Sequence, residues 1–139
     1  MMRTTDPHIV EAAVETYAEA IEGFTIESWL SNPLNVALVE GDDAALFGRQ
    51  PHADHVVFGH YFFRSKGKNA VKAAKGFLEE IFTGPYSVDA VVGLTPINHK
   101  AAIWMTRHLG FTFDGEVETD DGPYLFSILT KQEWEQLDG

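Results

Sequence analysis

Five of the chain's ten Lys and Arg residues (Arg64, Lys66, Lys68, Lys72 and Lys75) fall between positions 64 and 75, and no Asp or Glu interrupts them. They surround a glycine-bearing turn, Arg64-Ser65-Lys66-Gly67-Lys68-Asn69-Ala70, with a strand-like run ahead of it (55–63) and a helix-like run behind it (71–82). A helix start carries partial positive charge and unpaired N–H groups, so cations there cost roughly a few tenths of a kcal/mol each. Glu79 and Glu80 near the far end are placed against the macrodipole as well. A phosphate bound on the turn reverses the sign of that arrangement. Residues 64–70 therefore read as an anion cradle, against the alternative of a basic face that is merely solvated.

Other chemistry finds less support. His52, His55 and His60 are spaced by 3 and 5 with no carboxylate in fixed register, so no metal site is expected. Absence of cysteine removes disulfides and thiolate chemistry. The cationic turn lacks the glycine run and Lys-Ser/Thr pair of a nucleotide-hydrolase phosphate loop, and no Gly-x-Ser-x-Gly elbow occurs.

The chain has 139 residues, 45% of them hydrophobic and ten of them Phe, which suits a single domain over 1–139 with a full core. A formal net charge of −11 argues against nucleic acid or an anionic membrane as a general partner, while a local basic patch can still bind one small polyanion. The opening MMRTTDPHIVEAAVE lacks the apolar core of a signal peptide, and no apolar run reaches the length of a membrane span. A cytoplasmic protein is the expectation.

The elements that must position the turn follow from periodicity. Asp6-Pro7 opens a helix along Val10, Val14, Tyr17, Ile21 and Phe24, with Gly23 as its stop. Residues 25–33 are ambiguous between a short helix and a turn. NVALVE, Gly41-Asp42-Asp43 and AALFGRQ read as a hairpin around an acidic turn. After the connection 51–54, the run 55–63 is apolar on both faces, as in the middle of a covered sheet. Val71, Ala74, Leu78 and Phe82 mark a helix ended by Thr83-Gly84-Pro85, and 88–94 is a second buried strand. Strand, helix, strand implies a parallel pair with a right-handed crossover. Asn98 then caps a helix to Gly110, strands 111–116 and 124–130 follow, and KQEWEQL closes the chain as a helical turn. The fold class is α/β (α+β), with a mixed β-sheet, a central parallel strand pair and helices on both faces.

This order, with RSKGKN after a central strand and HKAAIWMTRHLGF ahead of a terminal hairpin, resembles the GNAT superfamily of acyl-CoA N-acyltransferases. The family's pyrophosphate turn runs (Gln/Arg)-x-x-Gly-x-(Gly/Ala). Arg64 and Gly67 match it, and Asn69, a residue that tolerates a left-handed backbone, replaces the last small one. The late motif is met by Ala102 and Leu109-Gly110-Phe111. His99 stands where the family has an Asn that often touches the cofactor, and Thr106 where a Tyr is often cast as general acid. The resemblance covers 35–130, and the family's N-terminal strand is not evident.

The resemblance implies acetyl-CoA held by Arg64, Ser65, Lys66, Gly67, Lys68, Asn69 and Ala70, with its pantetheine along 60–63 beside Phe62 and Phe63, and with His99 in contact. It implies an amine acceptor and a base within hydrogen-bond reach. His60 is the candidate, against the reading of a hydrogen-bonded core histidine, with Glu40 the weaker alternative. From Val88 onward the chain is also similar to a GNAT-fold group of short-tailed bacteriophages, some of them internal virion proteins. Three functions stay open: an N-acetyltransferase, a non-catalytic virion protein, and a cofactor-binding regulator. The macromolecular partners so implied are a second copy of the chain or virion components.

Overall fold

The computed structural model describes residues 1–14, 26–50 and 53–137. In chain order the elements are β1 (Met2–Thr4), α1 (Pro7–Val14), α2 (Ile26–Leu30), β2 (Val36–Glu40), β3 (Asp43–Gln50) and β4 (Ala53–Phe62). They continue with α3 (Lys68–Thr83), β5 (Ala90–Pro96), α4 (Lys100–His108), β6 (Thr112–Thr119), β7 (Gly122–Thr130) and α5 (Lys131–Leu137). One seven-stranded sheet runs in the order β1-β2-β3-β4-β5-β7-β6. Among the described residues only β4 and β5 pair in parallel, and α3 is the crossover between them. The mixed sheet with a central parallel pair is the architecture expected from the sequence.

Strand alternation divides the side chains of β4 between two layers. Val57 and Tyr61 pack with Phe77, Leu78, Ile81, Val91 and Leu129 on the side that carries α3, where Met105 of α4 and Trp134 of α5 also join. Phe62 packs on the other side with Leu46, Val10 and Ile26 beneath α1 and α2. Helix α3 buries Ala70, Ala73, Ala74, Phe77, Leu78, Ile81 and Phe82 as one stripe. Each large apolar side chain in it contributes roughly 1.5–3 kcal/mol, which fixes the helix start against the end of β4.

Two boundaries depart from the sequence reading, a third agrees with it, and a fourth decides an alternative it left open. The chain opens on a strand, not a helix: β1 pairs antiparallel with β2, and the Arg3 guanidinium donates to the carbonyls of Pro33 (3.0 Å) and Asn35 (3.3 Å). Three residues are too few to show a period of two. Asp6 does cap α1, its Oδ1 accepting the His8 amide at 2.9 Å, while the expected continuation past Val14 to Gly23 lies outside the described residues. Residues 26–30 resolve the ambiguous segment as a short helix. His99, not Asn98, caps α4, because its ring Nδ1 accepts the Ala102 amide at 3.2 Å.

Candidate active site

Pairing between β4 and β5 covers Val56–Ala90, Val57–Val91 and Phe58–Val92 and then stops, although β4 continues to Phe62 and β5 to Pro96. The two strands therefore form a fork. Glycines stand at its crotch, and on the α3 side a Cβ added to Gly93 would lie 3.4 Å from the Ser127 Oγ and 3.9 Å from the Gly59 carbonyl oxygen. A Cβ on Gly59 would lie 2.9 Å from the Tyr61 hydroxyl. That hydroxyl is buried and has no hydrogen-bond partner among the described residues, and burial raises its pKa. A buried donor without a partner costs roughly 1–3 kcal/mol, and such groups mark places where water or a ligand completes the structure.

His60 lies two residues past the last parallel pair, on the side of Phe58 and Phe62, with Leu46 as its β3 neighbour. Its ring is 4.9 Å from that of Phe58. The residue remains exposed, yet the protein around the ring desolvates it enough to lower its pKa. The imidazole is therefore neutral at neutral pH and able to accept a proton. Glu40 sits instead where β2 enters the β2–β3 turn, 2.7 Å from the Met1 amino group and two strands over from β4. His55 bonds the Ser87 carbonyl at 2.9 Å through Nδ1, and His52 lies outside the described residues.

Beyond β4 the chain enters the cationic turn. Gly67, at φ 58° and ψ −129°, occupies a conformation open essentially to glycine alone, and a Cβ there would meet nothing within 4 Å. It caps α3 without any side-chain hydrogen bond, and the first helical bond is Val71 N–H to the Gly67 carbonyl at 3.2 Å. The amides that begin the helix thus have no intrahelical acceptor. Lys66, Gly67, Lys68 and Asn69 are exposed, Ser65 is half-buried and Ala70 is buried. Asn69 is helical, so the left-handed position of the turn is Gly67 and no tolerance of Asn69 is needed.

The first two amides of the turn point inward. Arg64 N–H (2.7 Å) and Ser65 N–H (3.0 Å) both donate to Oδ1 of Asp43, and the Ser65 hydroxyl donates to Oδ2. Beside them a cavity of about 600 Å³ is lined by Arg64, Ser65, Asn69 and Lys72, with Glu40 to Asp43 across from them. Neither His60 nor β5 lines it. Sequence reasoning missed Asp43, placing it in the acidic turn of the hairpin. Its signal is positional: a two-residue turn at Gly41-Asp42 makes Asp43 the first residue of β3, and it is 4% exposed.

Phe62 and Phe63 are half-buried on opposite layers. On α4, the Thr106 hydroxyl donates to the Ala102 carbonyl one turn back at 2.7 Å, so it is committed within its own helix. His99 is exposed, and use of its Nδ1 as acceptor leaves Nε2 as the donor.

No family model and no curated relative matches the sequence. Solved structures do match by shape. A spermidine N-acetyltransferase SpeG chimera from Vibrio cholerae and hSSAT is 8% identical with a TM-score of 0.71, covering 97% of this chain and 99% of that one. The aminoglycoside acetyltransferase AAC(6')-Ib in complex with coenzyme A and kanamycin is 19% identical with a TM-score of 0.65, covering 91% and 86%. A GNAT-family acetyltransferase from Bacillus anthracis is 12% identical with a TM-score of 0.61 over the same shares. The chain has the GNAT fold.

Proposed function

We propose that the protein is an acyl-CoA-dependent N-acyltransferase that moves an acetyl group from acetyl-CoA to an amine. One observation carries the reading: β4 loses its parallel partner after Phe58 and then runs into a turn whose glycine cap leaves the first amides of α3 unfilled. Residues 66–70 would hold the diphosphate through backbone N–H groups, with Arg64, Lys66 and Lys68 adding charge. Residues 60–63, His99 and the glycine-floored fork would take the pantetheine arm. The Tyr61 hydroxyl fits this assignment, being a buried donor beside that floor with no partner among the described residues. The cofactor supplies an activated acyl group when bound. His60, neutral and just past the fork, would remove the proton from the acceptor amine.

The acceptor class draws support from the neighbours, whose names give spermidine and aminoglycosides, both polyamines in water. A chain of net charge −11 attracts such cations. Titration with acetyl-CoA during thermal unfolding tests the reading, since a ligand at a hundred times its Kd stabilises by about 2.7 kcal/mol. Thiol release with a panel of amines then reports turnover. Absence of any shift at millimolar acetyl-CoA overturns the proposal.

A second reading, a GNAT-fold protein that does no catalysis, such as a regulator or a virion component, is favoured by Thr106. Its hydroxyl is bonded into α4 and offers no acid there. Cofactor binding without turnover of any amine would select it.

A further inference from the structure

We infer that Asp43 is a positioning residue for the diphosphate-binding turn, acting through the amides of Arg64 and Ser65; the inference rests on the acyl-CoA reading above. Burying a carboxylate is costly unless hydrogen bonds replace its hydration. At Asp43 the replacements all come from one short stretch: the N–H groups of Arg64 and Ser65 on Oδ1, and the Ser65 hydroxyl on Oδ2. Two successive amides converging on one oxygen form the same kind of nest by which such a turn grips an external anion.

The chain has thus placed its own anion on the first two amides and left the following ones to a ligand. Strand register does not require this tie. The β3–β4 ladder already reaches Ala44–Phe62, and Asp43 stands one residue beyond it, reaching past the strand end into the turn. Its neighbour Asp42 is exposed. The carboxylate fixes the direction in which the chain leaves β4. It thereby sets where Gly67 and the first helical amides come to rest, with Ser65 as the accessory contact.

Asp43→Asn keeps the size and one acceptor oxygen while presenting an NH₂ group to the Ser65 hydroxyl. Ser65→Ala removes only the hydroxyl bond. Three measurements on the full chain decide: the Kd for coenzyme A, kcat/KM for acetyl-CoA against S-acetylpantetheine (an acyl donor without the diphosphate), and unliganded hydrogen exchange at the Arg64 and Ser65 amides. Asp43→Asn is expected to weaken coenzyme A about tenfold and Ser65→Ala about threefold. S-acetylpantetheine should be used as well as by the wild type, and protection of the two amides in Asp43→Asn should be reduced, because a neutral amide oxygen accepts more weakly than a carboxylate. Equal losses with both donors, or unaltered coenzyme A affinity in a folded variant, would overturn the inference, as would amide protection in Asp43→Asn equal to that of the wild type. If Asp43→Asn does not fold, Ser65→Ala decides by the same affinity criteria. Wild-type protein that fails to bind coenzyme A sinks the acyl-CoA reading itself, an outcome the wild-type control separates from failure of the variant.

Discussion

Helix α3 starts at a glycine with positive φ, no side-chain cap and lysines in its opening turns, whereas α4 starts at His99, whose ring accepts an amide of its own first turn. A capped start is what stability favours, since a good N-cap contributes about 1 kcal/mol. Helix α3 forgoes that cap. It also commits its N-cap residue, Gly67, to a backbone conformation that only glycine adopts freely and places cations against its own dipole. A start that is poor by every local rule, yet buried along a firm apolar stripe, has its stability supplied by packing and its amides left for a ligand.

The largest expected effect asks whether an open helix start serves a reaction at all. Replacing His60 with Gln should lower kcat by about 10³-fold, within the range for loss of a general base, while coenzyme A affinity is unchanged. The pH profile gives the sign. Because burial lowers the His60 pKa from 6.5, the imidazole stays neutral through the neutral range. Activity should fall only as pH drops through a value below 6.5, and that acid limb should vanish in His60→Gln.

Gly67→Glu comes next, and it attacks the open start directly. A carboxylate beside the free amides and a strained φ together should weaken coenzyme A about a hundredfold. Gly41 supplies the control: it shares the positive φ (59°) and the empty surroundings but sits in the β2–β3 turn. Gly41→Ala should cost comparable stability in thermal unfolding and leave cofactor affinity as it was. Equal binding losses at the two glycines would erase the distinction between strain and site.

Removing Lys66 and Lys68 together should weaken coenzyme A about tenfold, with the difference shrinking as salt rises because both side chains are exposed. An effect that is independent of salt would assign the lysines a structural role.

The same contrast explains what was legible in the sequence. The continuous apolar run around Val57 and Phe58, the stripe through Phe77 and Leu78, and the cluster from Arg64 to Lys75 are short-range patterns, so the parallel pair and the cationic turn could be read directly. Asp43 could not, because its partners lie 21 and 22 residues away and only the β2–β3–β4 meander brings them together. The Tyr61 hydroxyl was hidden for a similar reason: Tyr61 reads as core, and its lack of a partner appears only once β4 and α3 are packed. Strand β1 left no signal in three residues, being held by Arg3 bonds to a segment some thirty positions on.

The smallest effect tests the closed half of the comparison. His99→Ala removes the ring that accepts the Ala102 amide, so it should lower stability by about 1 kcal/mol, read as a fall in Tm. If His99 also meets the cofactor through Nε2, coenzyme A affinity should drop as well. His99→Asn separates the two roles. Asn is a strong N-cap and can restore the bond to Ala102, so stability should return, and any binding deficit that persists belongs to the imidazole alone. A full rescue of both would make His99 a cap and nothing more, leaving the grip on the cofactor to the open start of α3.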